Sequence, residues 1–190
     1  DRDDSAGKDF GSFKGSKVFS YTGAVMTLPT GVQAIAENNY GRPDEALDYL
    51  HRMTRTFSYA FPGSIYEVSP DYGMMTQAWN IYSYAIPIVQ QFFGIQPMAQ
   101  QKMVVIKPQM PSSWKEGASL ENVKIADNTI SIFYKKEEIV IEQTNSNWTI
   151  QLELPKGAYE VIDGEVETTS ESAESTFTTT SKKLVVGKSN

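Results

Sequence analysis

Apolar residues recur at three- and four-residue steps between about Val32 and Phe93, and at two-residue steps from Met103 onward. Residues three and four apart share a helix face, whereas residues two apart share a strand face, so one uniform layer cannot accommodate both periods. The change predicts an α+β chain in two parts, helical over residues 1–102 and β-rich over residues 103–190. Composition divides at the same place. Of the aromatic residues, 16 precede position 103 and 6 follow it, while the last 88 residues hold 13 of the 23 acidic side chains.

Within the first part, residues 1–18 are rich in Gly, Asp, Ser and Lys and predict a long surface loop. Val32, Ile35 and Ala36 follow Pro29-Thr30-Gly31 at helical spacing, and Gly41 suits the left-handed position that closes a helix. A second helix is expected from Pro43, with Asp44 and Glu45 at the positive end of its dipole and Ala46, Leu47, Leu50, Met53, Thr54 and Phe57 in series to about Ser58. After a Pro/Gly/Ser-rich loop (61–73), the run 74–93 is apolar on nearly every face, through Met75, Ala78, Trp79, Tyr82, Ala85, Ile88, Val89 and Phe92. Such a helix is expected to be buried on all sides. Pro87 should bend it, Gly94 should end it, and Pro97 should prevent its continuation.

Short runs rich in β-branched and aromatic residues then predict strands at 104–106, 123–126, 129–134, 138–143, 148–154, 159–162, 165–168, 175–179 and 184–186. Asp127-Asn128 and Asp163-Gly164 are two-residue hairpin candidates, Lys135 to Glu138 reads as a solvated turn, and the Thr/Ser/Glu-rich tract 168–181 as an exposed hairpin. Strands of this number and spacing predict an antiparallel β-sandwich.

Several function classes are excluded. The net charge is -6, so the chain lacks the basic footprint that phosphate backbones require, and nucleic acid is not expected as a partner. With no cysteine and one histidine, His51, neither thiol chemistry nor a structural zinc site is expected, and no cofactor is called for. No apolar run approaches the roughly 18 residues of a membrane helix, so no membrane association is expected. The acid patches Asp1-Asp3-Asp4 and Glu165-Glu167 lack a calcium ligand loop, and no metal is assigned. The polar start at Asp1, without methionine, reads as that of a processed product.

Chemistry concentrates at Gly63-Ser64-Ile65-Tyr66-Glu67, Asp71-Tyr72-Gly73 and Gln77-Ala78-Trp79. Glu67 is a carboxylate in a loop between Tyr66 and Tyr72, at the entry to the apolar helix; loops on rigid scaffolds hold catalytic groups, and rings beside a carboxylate suit the apolar face of a sugar. By residue type alone, however, such a glutamate is more often solvated or capping, and Asp71 reads as a helix N-cap.

The order Gly-x-x-x-Glu, a loop ending in Gly, Gln-Ala-Trp, then Gly94-Ile95-Gln96-Pro97 resembles the last helical hairpin of the six-hairpin, (α/α)6-toroid glycoside hydrolases, which include glycogen-debranching and α-L-rhamnosidase enzymes. Gly23 to Gly31 and Tyr40-Gly41-Arg42-Pro43-Asp44-Glu45-Ala46 are similar to the penultimate hairpin. Val105-Ile106-Lys107-Pro108-Gln109 with Trp114 is similar to the junction with the sandwich that follows the toroid. The resemblance implies an inverting glycosidase in which Glu67 is the general base, with Tyr66, Tyr72, Gln77 and Trp79 as substrate-binding candidates. In inverting pairs the base and acid stand roughly 6.5–9.5 Å apart, and no residue here matches the family's acid. It further implies a glycoside or oligosaccharide substrate and work outside the cytoplasm, periplasmic or secreted.

Length then limits the whole. A ring of six hairpins needs about twelve helices of about 11–12 residues each plus connections, and three are predicted here. The chain is therefore expected to be a C-terminal fragment, inactive alone, whose apolar helix 74–93 packs against the remainder of its parent or against a second copy. A non-catalytic carbohydrate-binding or structural sandwich module with a helical appendage is the alternative. Other residues read as structural: His51 as packed or surface-exposed, Trp114 and Trp148 as buried, Met74-Met75 as gap filling, and Asn147-Trp148-Thr149 as a chance glycosylation triplet.

Overall fold

The computed structural model describes residues 25–54, 57, 61–65, 67–69, 74, 76, 78–171 and 174–189. The predicted entry loop 1–18 lies outside them. The chain divides into two compact units between Pro87 and Ile88. One contains the α-helices and the other two five-stranded sheets, an α+β fold with a β-sandwich.

In the first unit, strand β1 (Val25–Met26) pairs antiparallel with β2 (Val68–Ser69), and helix α1 (Thr27–Asn39) follows β1 directly. Pro29 is accommodated because first-turn N–H groups have no partner within the helix. The buried face of α1 is Thr27, Thr30, Gly31, Ala34, Glu37 and Asn38, while Val32 is 47% exposed, opposite to the face expected from Val32, Ile35 and Ala36. The reason is close packing: Gly31 lies against Ser83 of α3 (Ala78–Ala85), where larger apolar side chains would not fit.

The turn after α1 agrees with expectation. Gly41 takes φ +73°, its N–H donates to Asn38 O at 2.9 Å, and the Arg42 N–H reaches back to Glu37 O at 3.0 Å, satisfying two carbonyls that the helix end leaves free. The Arg42 guanidinium also pairs with the Glu37 carboxylate at 2.6 Å. Helix α2 (Pro43–Met53) buries Ala46, Leu47, Leu50 and Met53 as its spacing predicts. It stops at Met53 rather than near Ser58, because the Thr54 hydroxyl takes the His51 carbonyl at 2.5 Å and Phe57 pairs instead with Ile65 in an isolated bridge. His51 is exposed.

Helix α3 begins at Ala78, not Met74, and continues as a wider π-helical segment from Ile86 to Phe92. Pro87 stands at the start of that segment; it lacks the N–H that would bond Ser83, and the ladder resumes one residue wider, as in the Phe93 N–H bond to Ile88 O. The helix is not buried on all sides. Ile81 and Tyr82 are exposed, while the polar Asn80 and Ser83 are fully buried. No helix among the described residues is long and apolar enough to cross a membrane.

The second unit holds β3 (Ile95–Met98), β4 (Met103–Ile106), β5 (Ala118–Ile125), β6 (Asn128–Lys135), β7 (Glu138–Gln143), β8 (Thr149–Pro155), β9 (Tyr159–Asp163), β10 (Thr168–Glu171), β11 (Glu174–Thr179) and β12 (Lys183–Lys188). One sheet has the order β10-β11-β8-β4-β3 and the other β5-β6-β7-β12-β9. All pairs are antiparallel except β4 with β8, which run parallel because the chain leaves for the other sheet between them. Strands therefore begin at Ile95, earlier than the alternation from Met103 predicts. Pro97 is tolerated since β3 is an edge strand, where a missing N–H costs no central ladder bond.

Gly94 takes φ +71°, and a β-carbon there would stand 2.1 Å from the Lys107 carbonyl, so only glycine ends the helix at this point. Ile130, Ile132, Ile141, Ile150, Leu152, Leu184 and Trp148 form the core of the sandwich. Trp114 packs edge-on against Phe92, with ring centroids 5.4 Å apart. The Thr-rich tract contains the antiparallel pair β10 and β11, but not as an exposed hairpin: β11 also pairs with β8 and buries Ser175, Phe177 and Thr179.

Two turns differ from expectation. The β5–β6 turn is Ala126-Asp127, one residue earlier than predicted, because Asn128 is drawn into the interior. Asp163-Gly164 closes no hairpin: β9 and β10 belong to different sheets, and Gly164 is where the chain passes within reach of the Lys183 carbonyl.

Candidate functional site

Of the candidate catalytic and substrate-binding residues, Glu67 is the one whose side chain the structure describes. Tyr66, Tyr72 and Gln77 lie outside the described residues, as does Asp71, the expected cap. Trp79 is placed in the first turn of α3 by its backbone, and its side chain lies outside the description.

Glu67 immediately precedes β2, and β2 is paired to β1, so its main chain is fixed at the point where α1 begins. Its carbonyl accepts the Thr27 N–H at 3.1 Å, one of the donors that the first turn of α1 cannot satisfy internally. Ser83 of α3 in turn donates its hydroxyl to the Thr27 carbonyl at 3.4 Å. On the other side, the Glu67 N–H donates to Met74 O at 3.0 Å, and the Met74 N–H donates to Glu67 Oε2 at 2.9 Å. Both main-chain groups of Met74 are thereby occupied outside the helix, the reason that α3 starts later than its apolar run.

The upstream part of the loop is also ordered by its own polar groups. The Ser64 hydroxyl donates to Phe61 O at 2.7 Å and accepts the Phe61 N–H at 3.1 Å, a compact turn that carries Gly63 at φ +75° and leads into the buried Ile65. The carboxylate of Glu67 is half-buried. A carboxylate with one oxygen held by a main-chain donor and the other open can accept a proton from a water or a hydroxyl. Among the described residues no cluster of three or more His, Asp or Glu side chains is arranged to hold a metal ion.

The described fold matches part of a known glycosidase. A solved α-L-rhamnosidase of Streptomyces avermitilis, in complex with L-rhamnose, superposes with a TM-score of 0.55 at 16% identity over 84% of this chain. This chain spans 17% of the length of that enzyme. No family model matches the sequence, and no curated protein matches it. The likeness concerns the fold: a glycoside hydrolase contains a segment of this architecture, in which the described helices do not amount to a toroid.

Two features escaped the sequence reading. The first is Met74, whose contribution is a backbone N–H and therefore leaves no mark on residue identity. The second is a shallow hollow of about 400 Å³ on the outer face of the β5-β6-β7-β12-β9 sheet, over Phe133, Val140, Ile162 and Val185. Its rim carries Lys135, Glu138, Glu142, Asp163 and Lys183, of which Lys183 pairs with Asp163 at 3.1 Å and the Lys135 ammonium lies 5.9 Å from the centre of the Phe133 ring.

Proposed function

We propose that this chain is the C-terminal part of an inverting glycoside hydrolase and that Glu67 is its general base. The observation that carries the reading is the fixed carboxylate of Glu67, in a loop tied to the start of α1 and to Met74, in a chain whose fold is like a segment of an α-L-rhamnosidase. In the reaction the base removes a proton from water, the water oxygen bonds to the anomeric carbon, and the glycosidic C–O bond breaks. The leaving oxygen takes a proton from a carboxylic acid contributed from outside the described residues. Tyr66, Tyr72, Gln77 and Trp79 would line the sugar subsite beside this base.

The surface of the helical unit supports a place within a larger body. Tyr40, Phe61, Met74, Ile81 and Tyr82 are all exposed while Thr27, Asn38, Asn80 and Ser83 are buried. The unit has its own apolar interior in Ala34, Ala46, Leu47, Leu50, Met53 and Ile65, so these exposed apolar side chains lie outside its core, as on a surface that another body covers. The remainder of the parent polypeptide, completing the toroid, would cover it; the competing occupant is a second copy of the chain.

The test is hydrolysis of aryl glycosides, aryl α-L-rhamnosides first, by the full polypeptide that contains this chain. Glu67→Gln is expected to lower turnover by about 10³-fold with unchanged thermal stability, the scale of a lost general base. Product followed by NMR should appear with inverted anomeric configuration. Full turnover in the folded Glu67→Gln enzyme, or a product of retained configuration, overturns the reading.

A further inference from the structure

Glu67 and Met74 are joined by two main-chain-mediated bonds, and only one of them is needed to close the loop between them. The Glu67 N–H bond to Met74 O does that by itself. The second bond, from the Met74 N–H to Glu67 Oε2, closes nothing further; its effect falls on the carboxylate. A main-chain donor cannot swing as a side chain does, so this bond sets the rotation of the carboxylate relative to the backbone at Met74. It also makes the two oxygens unequal. Oε2 is engaged, and among the described residues Oε1 has no hydrogen-bond partner on a half-buried side chain.

The support behind the pair is continuous. Thr27 holds the Glu67 carbonyl, Ser83 holds the Thr27 carbonyl, and Gly31 brings α1 against Ser83 so closely that this arrangement has little room to shift.

We propose that the backbone N–H of Met74 is a positioning group for Glu67, pinning Oε2 so that Oε1 is the oxygen that receives the proton of the attacking water. The proposal rests on the reading of Glu67 as the base. It adds which oxygen acts and what aims it. A base misplaced by about 1 Å costs about 10²-fold in rate, so a donor that fixes its rotation matters to turnover and much less to substrate binding.

The experiment removes the donor and nothing else, in the full polypeptide that contains this chain. Replacing the amide at Met74 by an ester, with the α-hydroxy analogue of methionine, deletes the N–H and keeps the carbonyl that Glu67 uses for loop closure. Met74→Pro deletes the same N–H by ordinary mutagenesis, and Met74→Ala retains it as the control. Expected is a loss of kcat of about 10²-fold in the ester and proline variants, with KM within about threefold, while Met74→Ala keeps kcat within about threefold. The ester variant preserves the fold where proline does not, and circular dichroism with a thermal melt checks both. Wild-type kcat in the folded ester variant overturns the proposal, as does a change confined to KM. The two readings separate cleanly. An active Glu67→Gln enzyme removes the base itself, whereas an inactive Glu67→Gln enzyme beside a fully active ester variant removes the positioning group alone.

Discussion

Gly31 and Ser83 touch where α1 crosses α3, and a β-carbon placed on Gly31 would lie 2.2 Å from the Ser83 β-carbon and 2.6 Å from its α-carbon. Since the obstacle includes backbone, it cannot rotate away. Gly31→Ala is expected to lower stability by about 2–3 kcal/mol, the upper range for overpacking. Gly41→Ala is the control: it has a left-handed φ of +73° but open space around it, and should cost about 1–2 kcal/mol. Urea unfolding of the two variants checks the order.

Asn128 is expected to hold one end of the sandwich together. Its Oδ1 accepts the N–H groups of Thr129, Thr144 and Asn145 at 3.0–3.2 Å, and its Nδ2 donates to Gln143 Oε1 at 2.9 Å. Gln143 then donates to the carbonyls of Trp148, Thr180 and Ser181. Both residues are buried, so removing either leaves several polar groups without water. Asn128→Ala should cost about 3 kcal/mol or more, since it strands donors and an acceptor together. Chemical unfolding with fluorescence detection should show the midpoint falling.

Tyr134 should behave in the opposite sense. Its hydroxyl is buried and has no hydrogen-bond partner among the described residues. Tyr134→Phe removes that unpaired group and is expected to leave stability within about 0.5 kcal/mol or to raise it by about 1 kcal/mol. Burial pushes the Tyr134 hydroxyl well above its ordinary value of 10 and that of Tyr84 up to about 12. Below pH 10 both tyrosines are protonated whether the chain is folded or not. Above it the unfolded chain releases protons that the folded chain keeps, so stability should fall as pH rises past 10. Tyr134→Phe should flatten that decline, as measured by unfolding at stepped alkaline pH.

Lys107 stands 2.5 Å from Glu174 and 3.4 Å from Glu153, across β11 and β8. Its hydrogen bond to Glu174 raises the lysine and holds the Glu174 carboxyl below its usual 4.5. The lowered carboxyl contributes stability that is present above pH 4.5 and lost as pH falls through its folded value. Because both side chains are more than a third exposed, Glu174→Gln should cost only about 0.5 kcal/mol near neutral pH. The variant and the parent chain should become equal in stability under strongly acidic conditions.

Much of the local architecture was legible in residue order. Pro43 with Asp44 and Glu45 placed the start of α2, and the spacing of Ala46, Leu47, Leu50 and Met53 placed its buried face. Gly41 placed the turn before it, and alternation placed most of the sandwich strands. These readings succeed because each rests on contacts within a few positions of the residue concerned, which the local sequence controls.

Tertiary structure decided what depends on neighbours distant in sequence. Val32, Ile35 and Ala36 suggested one face of α1, but the close crossing with Ser83 selected the small and polar one. The apolar run from Met74 suggested a helix four residues longer, but Glu67, seven positions back, occupies the main-chain groups of Met74. Ile95 to Met98 became a strand only because β4 offered an edge to pair with. Composition and spacing therefore determined most of the helical and strand segments, and marked Glu67 as a residue of interest. The aim of its carboxylate was decided by a backbone N–H, a donor present in every residue but proline, which becomes specific only when the fold brings it within 2.9 Å.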